Sequence, residues 1–248
     1  MERWQNKIAV VTGASSGIGA AVVKDLVNHG LFVIGLARRV ECVEELKNHL
    51  PDAKKSHLVA IKCDVSDLDS VNRAFDEIIS KFGAVDILIN NAGCLKGGQL
   101  VNMDVREMQQ ILQTNVMGVI HCTQRAFKSM KERNFNGHVV IVNSIAGHKV
   151  PICSDLPEFN IYPPSKFAIT AITELLRQEF KGLGTKIKVT SISPGAVDTD
   201  IIPDFIRNHA NGSLLKAEDI SSSIVYALST PPHVQIHELM IKPVGEMF

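Results

Sequence analysis

Ile8-Ala9-Val10-Val11-Thr12-Gly13-Ala14-Ser15-Ser16-Gly17-Ile18-Gly19 begins as an apolar strand and ends in glycines. Beyond it, Ile18, Ala21, Val22 and Leu26 fall at i, i+3, i+4 and i+8, the spacing of one helix face, with Asp25 the exception. The stretch is therefore strand, glycine-rich turn, helix. Glycine permits a tight turn and lets backbone come close to a pyrophosphate. The helix start behind it offers free N–H groups and a partial positive charge. Gly13, Ser15, Ser16, Gly17, Ile18 and Gly19 are thus candidates to cradle phosphate. A Gly/Ser loop with no ligand is the alternative, and the position between first strand and first helix weighs against it.

Working outward, the same alternation repeats. Strand-like runs stand at Phe32-Val33-Ile34-Gly35-Leu36, Leu58–Lys62, Ile87–Asn90, 139–143, 188–193 and Glu238–Ile241. Helical patterns fill 40–50, Leu68–Phe82, 103–130, 163–180 and Ala217–Ser229. The strands are continuous apolar runs, as a sheet buried on both faces needs. Strand–helix alternation of this kind means right-handed βαβ units: an α/β, Rossmann-type, doubly wound parallel sheet flanked by helices. No linker or repeat interrupts it, so residues 1–248 form a single domain. The long irregular pieces, 148–161 and 196–215, follow strands, where ligand-binding loops of such sheets lie.

Composition narrows the class. The chain has 248 residues, 45% hydrophobic and 21% charged, enough to bury a large core without staples. Lys plus Arg and Asp plus Glu number 26 each, and this balance gives no sign of nucleic acid or an anionic membrane as partner. Five cysteines without a C-x-x-C pair indicate free thiols in a reducing compartment. The start Met1-Glu2-Arg3-Trp4 has no apolar signal region, and the longest apolar stretch, 31–37, is far short of a membrane span. A cytoplasmic protein is expected. The nine histidines show no metal-ligand pattern, and His233 and His237 follow two prolines, so no metal site is expected.

The strand ends choose the cofactor. The second strand runs into Arg38-Arg39, with no carboxylate before Glu41. Guanidinium groups match the 2′-phosphate of NADP, where an acidic residue would serve the ribose hydroxyls of NAD. Two arginines that merely solvate a loop are the alternative. After the third strand, Asp64 can accept from an adenine amino group while Val65 stacks beside the ring; alone, such an Asp is more often a cap or turn residue. Asn90-Asn91-Ala92-Gly93 closes the fourth strand and lets backbone pass close to the adenine ribose, or is an ordinary turn.

Tyr162-Pro163-Pro164-Ser165-Lys166 places a phenol and an ammonium at i and i+4, one face of a helix. Free tyrosine has a pKa of about 10, and a nearby cation lowers it. Ser144, after the fifth strand, offers a hydroxyl to a substrate oxygen. Asn115 is a poor helix former inside a long helix, so it has a local job or is exposed. The prolines after Tyr162 are tolerated only in a first helical turn, which puts Tyr162 at the helix boundary. Cys94, directly after the fourth-strand motif, edges a substrate pocket or is a small buried hydrophobe.

Together these residues resemble the short-chain dehydrogenase/reductase family over the whole chain. The carrying motifs are T-G-x-x-x-G-x-G, Asp64-Val65, Asn90-Asn91-Ala92-Gly93, Asn115, Ser144, Tyr-x-x-x-Lys and Pro194-Gly195, in family order. The resemblance implies a catalytic tetrad of Asn115, Ser144, Tyr162 and Lys166. In it Tyr162 is general acid/base, Ser144 holds the substrate oxygen and Asn115 holds a water of the proton relay. Lys166 binds the nicotinamide ribose and lowers the tyrosine pKa. Pro194, Gly195, Val197 and Thr199 match the segment that cradles the nicotinamide. A homodimer or homotetramer built from the helices at 103–130 and 163–180 is implied too. Asn143-Ser144-Ile145-Ala146-Gly147-His148, Leu175-Leu176-Arg177-Gln178-Glu179 and Ile241-Lys242-Pro243-Val244-Gly245-Glu246 resemble the insect farnesol dehydrogenase-like subgroup and its vertebrate ketosteroid-reducing relatives.

The expected function is NADP(H)-dependent hydride transfer to or from a hydrophobic alcohol or carbonyl, farnesol to farnesal first. A ketosteroid or broad carbonyl reductase is the alternative within the class, and a non-catalytic NADP sensor the alternative outside it. The segment 196–215 carries Ile201, Ile202, Phe205, Ile206, Leu214 and Leu215, an expected lid with Ile201, Ile202 and Phe205 as one stripe of a short helix. Packing of these residues onto the protein itself is the alternative. Asp198, Asp200 and Asp204 there would repel acidic substrates.

Overall fold

Strands β1 (Ile8–Thr12), β2 (Phe32–Ala37), β3 (Leu58–Lys62), β4 (Ile87–Asn90), β5 (His138–Val142), β6 (Lys188–Pro194) and β7 (Glu238–Ile241) form one sheet. Its order is β3-β2-β1-β4-β5-β6-β7, and every pairing is parallel. The order reverses between β1 and β4, so a crevice opens there at the carboxyl ends of the strands. The structure is a computed structural model describing residues 1–152, 159–210 and 213–245, the side chains of Phe205 and His209 excepted. The expected role of Phe205 in the lid, and Glu246 in the tail, therefore lie outside the described residues.

The helices are α1 (Gly17–Asn28), α2 (Val40–Glu45), α3 (Leu68–Phe82), α4 (Val105–Leu112), α5 (Gly118–Glu132), α6 (Tyr162–Gly182), α7 (Asp204–Ala210) and α8 (Ala217–Ser229). Side chains that alternate along β1 divide between two cores. Ala9 and Val11 pack with Val22 and Leu26 of α1 and Ile220 and Ile224 of α8. Ile8 and Val10 pack on the other face with Phe75 of α3, Ala126 of α5 and Ile169 of α6. Asp25, the polar residue in the apolar stripe of α1, is accounted for by a hydrogen bond from the Ser221 hydroxyl of α8.

Double-sided burial holds for β1, β4 and β6 but not at the edges. In β3, Val59 and Ala60 are half-buried and Lys62 is exposed. In β7, Met240 is 50% exposed. An edge strand has one neighbour and incomplete helix cover, so a continuous apolar run overstates its burial. The helix expected at 40–50 stops early: α2 gives way to a 3-10 turn at Leu46–His49, then Leu50 turns extended before Pro51. A residue preceding proline is driven out of the helical region. The helix expected at 103–130 is α4 and α5 joined by a π turn, Gln113–Met117, centred on Asn115. Among the described residues no helix is long and apolar enough to cross a membrane.

Candidate active site

At the switch point the ends of β1 and β4 are laced together by side chains. The Thr12 hydroxyl accepts from the Asn91 and Ala92 amides, both at 3.0 Å. The Asn91 amide group in turn donates to the carbonyls of Thr12 (2.9 Å) and Gly13 (3.2 Å). The backbone segments are so close that a Cβ on Gly13, whose φ is +65°, would lie 2.8 Å from Ala92 Cα. One on Gly19 would lie 2.2 Å from the Gly13 carbonyl oxygen. Ser16 caps α1 with extended backbone and no side-chain hydrogen bond, so the N–H groups of the first turn keep no side-chain partner. This glycine cradle with a helix start behind it fits a pyrophosphate. From sequence, Thr12 opens the T-G-x-x-x-G-x-G motif and has no role of its own; the structure makes it the last residue of β1 and the acceptor that ties β4 to it.

Arg38 and Arg39 follow β2 and are both exposed at the cleft, with Arg39 Nη2 3.4 Å from Ser15 Oγ. Asp64 is in part the turn residue that its type suggests: its Oδ1 accepts from the Ser66 amide (3.0 Å) and hydroxyl (2.6 Å). Its neighbour Val65 is buried against Gly118 at the start of α5, where a Cβ would meet Val65 at 2.9 Å.

Tyr162 is the first residue of α6, as the prolines require. The first in-helix amide bond of the turn is Ser165 N to Ile161 O (3.0 Å), so Pro163 and Pro164 fill positions whose N–H groups would have had no partner. Ser144 caps the 3-10 turn Ile145–Gly147, its hydroxyl accepting from the Ala146 amide (3.0 Å), and it lines the cleft together with Tyr162. Lys166 Nζ lies 5.7 Å from the centre of the Tyr162 ring and donates to the Val142 carbonyl (3.1 Å). Burial pushes the Tyr162 phenol up to about 12, with the Ser144 hydroxyl working against the rise and the Cys94 thiol adding to it. Burial also pulls the Lys166 ammonium down to about 8. Burial is the largest cause of the Tyr162 rise, and Lys166, engaged by the Val142 carbonyl, is not among the groups that set it.

Asn115 has the local job its place in a helix suggested. It is 2% exposed; its Oδ1 accepts from the Cys94 amide (2.8 Å), and its Nδ2 donates to the Cys94 carbonyl (2.9 Å) and Ser165 Oγ (3.2 Å). The side chain clamps the loop after β4 to α6 from behind the cleft rather than reaching into it.

All these elements border one cleft of about 590 Å³. Of the expected site residues, only Gly19 and Asn115 are not in its wall. Leu95, Ile111, Ile145, Phe159, Ile202 and Ile206 give the wall apolar surface, with Lys96, Gln110, Thr114 and Asp200 from the same segments. Cys94 lines it too, its thiol pushed up by burial. Leu95, Ile111 and Phe159 were not found from sequence, because segments far apart in the chain bring them together. The lid differs from expectation. Ile201 and Ile202 line the cleft but precede α7, while Leu215 is buried in the core where it pairs with Val197. Arg207 of α7 holds the lid down, pairing with Asp198 and donating to the Thr199 carbonyl (2.8 Å).

A parallel sheet with a glycine cradle at its switch point and a Ser–Tyr–Lys cluster beside it defines a nucleotide-dependent oxidoreductase fold. A sequence model described as short chain dehydrogenase matches residues 7–209, and the chain belongs to that family. It is 53% identical to a farnesol dehydrogenase of Aedes aegypti, with all of both chains covered. It is 38% identical to the human dehydrogenase/reductase SDR family member 11, covering all of this chain and 98% of that one. Its fold is similar to that of an alcohol dehydrogenase from the archaeon Thermococcus sibiricus complexed with 5-hydroxy-NADP, with a TM-score of 0.84, 25% identity and 97% of each chain covered.

Proposed function

We propose that this short-chain dehydrogenase transfers hydride between NADP(H) and a hydrophobic alcohol or its carbonyl, with farnesol and farnesal as the first pair to test. The observation that carries the reading is the single cleft, cationic at Arg38 and Arg39 and apolar around Tyr162 and Ser144. The relative named farnesol dehydrogenase supports the substrate. Gly13, Ser15, Ser16, Gly17 and Ile18 hold the pyrophosphate, and Gly19 lets α1 come close behind them. Arg38 and Arg39 meet the 2′-phosphate. Asp64, Val65, Asn91, Ala92 and Gly93 flank the adenosine, and Pro194, Gly195, Val197 and Thr199 flank the nicotinamide. When bound, the cofactor supplies or accepts the hydride.

The chain's own residues handle the proton. Ser144 Oγ donates to the substrate oxygen, and Tyr162 takes the hydroxyl proton as phenolate during oxidation or gives one up as phenol during reduction. Lys166, held on the Val142 carbonyl, lies beside the phenol and binds ribose. Asn115 fixes the Cys94 loop and the start of α6, so the phenol keeps its aim. Self-association belongs to the same reading, supported by Leu112, Met117, Phe167 and Leu175, apolar and exposed on α4 to α6; sedimentation would measure it. The deciding assay compares NADP⁺ with NAD⁺ across farnesol, linear alcohols and a steroid alcohol. Turnover of farnesol with NADP⁺ is expected. No turnover with any pairing would leave a non-catalytic nucleotide binder, and preference for the steroid would replace only farnesol.

A further inference from the structure

The Ser144 turn is held at its far end by a contact that this mechanism does not use. His148 closes the 3-10 turn that Ser144 opens, its amide bonding the Ile145 carbonyl at 3.0 Å. Its Nε2 lies 2.7 Å from Oε1 of Glu238, the first residue of β7. The same oxygen accepts from the hydroxyls of Ser193 and, at 3.3 Å, Ser191. Both serines are buried in β6, and Ser193 immediately precedes Pro194-Gly195. One carboxylate oxygen on an edge strand thus gathers three donors. They come from the two segments that border the reaction end of the cleft: the Ser144 turn and the end of β6. A second bond follows the same line, from the Gly195 amide to the Ile241 carbonyl of β7 (2.7 Å).

A charged acceptor fixes its donors more firmly than a neutral one, and buried hydroxyls have no water to turn to. His148 is the fifth residue of a turn that Ser144 begins, and its amide bond to the Ile145 carbonyl ties its position to that of Ser144. We propose that Glu238 is a positioning residue: acting through His148 and Ser193, it sets the Ser144 hydroxyl against Tyr162 and holds the end of β6 beside them. It touches neither substrate nor cofactor. The inference rests on the proposed roles of Tyr162 and Ser144, so its test needs a readout that does not require turnover.

The chain has two tyrosines, and Tyr226 is 59% exposed on α8. In a Tyr226→Phe background, carbon-13 at tyrosine Cζ gives one resonance, that of Tyr162, which is sensitive to hydrogen bonding of the phenol. Ser144→Ala defines the shift caused by losing the Ser144 contact. Glu238→Ala and His148→Ala are expected to move the resonance at least about halfway to that value, and Glu238→Gln and His148→Gln by less. A resonance unmoved in Glu238→Ala, while Ser144→Ala shifts it, overturns the proposal. Should Glu238→Ala not fold, the two glutamine variants carry the same test, and wild-type positions in both overturn it. In the kinetic arm, Glu238→Ala is expected to lower kcat at least about tenfold with KM for NADP(H) within about threefold. The double variant with His148→Ala should be no slower than Glu238→Ala alone, as for residues acting as a unit. Additive losses overturn the shared route. Absence of turnover in the unmodified protein, with the resonance shifts present, would sink the proposed function and leave the positioning role standing.

Discussion

The two ends of the cleft are built differently. At the phosphate end, short turns follow consecutive strand ends, and Thr12 and Asn91 stitch β1 to β4 through backbone groups at 2.9–3.2 Å. Little there can shift, because the glycines already stand at contact distance. At the substrate end the wall is made of loops that meet through isolated pairings, Gly98 with Phe159 and Val197 with Leu215. Side chains complete it: Asn160 donates to the Lys96 carbonyl at 2.6 Å, and Arg207 pins α7. Ile201 at the lip remains 42% exposed. The first region is a rigid socket whose specificity lies in charge. The second is an apolar surface whose specificity lies in contact area, and it should tolerate change that the first does not.

Tyr162 stands where the two ends meet, so its loss should have the largest effect on rate. Tyr162→Phe keeps the ring and the helix start but removes the transferable proton. Turnover should fall by about two to four powers of ten while NADP(H) binding, read by fluorescence, is unchanged. A variant turning over near the wild-type rate would show that the proton is handled elsewhere. Next comes the socket itself. Gly19→Ala forces a methyl group to within 2.2 Å of the Gly13 carbonyl oxygen, and only backbone movement relieves that. Overpacking of this kind costs about 1–3 kcal/mol, so the unfolding midpoint should drop and cofactor affinity with it. Ile202→Ala at the other end should leave affinity for the cofactor untouched. Equal losses in both variants would erase the distinction between socket and surface.

The same difference decides how much was legible in the sequence. The phosphate end is assembled from short motifs, each contiguous in the chain, and their signals are local. The bounds of α3 follow from Asp67, which caps through the Asp69 amide, and Gly83, which ends it at φ +72°. The prolines placed Tyr162 at a helix start for a local reason as well. What sequence could not supply depends on distant contacts. The π turn at Asn115 is held by Cys94 and Ser165 from two other segments. Leu215 looked like lid but pairs with Val197 and sinks into the core, because apolar character alone does not say which apolar neighbour wins. The rise of the Tyr162 pKa had no sequence signal either, since desolvation is a property of the assembled pocket.

Charge at the socket predicts a smaller effect than loss of the phenol. Arg38 and Arg39 are both exposed at the cleft, where water competes for them. A charge-assisted contact to a 2′-phosphate is worth about 1.5–3 kcal/mol, or one to two powers of ten in affinity. Replacing both with alanine should erase most of the preference for NADP(H), raising KM for NADP⁺ and leaving KM for NAD⁺ nearly unchanged. The single variants apportion the effect. Equal or better kcat/KM with NAD⁺ in the unmodified protein would refute the reading of the second-strand end.

The smallest effect, and the sharpest test of the apolar surface, is the dependence on substrate length. Ile202 and Ile206 lie four residues apart, both reach the cleft, and Leu95, Ile111 and Phe159 face the same space. A chain that slides along such a wall gains about 0.8 kcal/mol per buried methylene, close to fourfold in KM for each carbon added. The gain should stop when the chain passes the exposed lip at Ile201, because further carbons stay in water. A series of linear alcohols should therefore show KM falling and then levelling, with farnesol on or below the line for its carbon count. Ile202→Ala should flatten the slope and leave kcat for the shortest alcohols unchanged, since those never reach the lid. If KM is flat with length in the unmodified protein, Ile202 and Ile206 pack the protein rather than its substrate. If the slope survives Ile202→Ala intact, the apolar contact lies on the Leu95–Ile111 side instead, and Ile111→Ala becomes the variant that must flatten it.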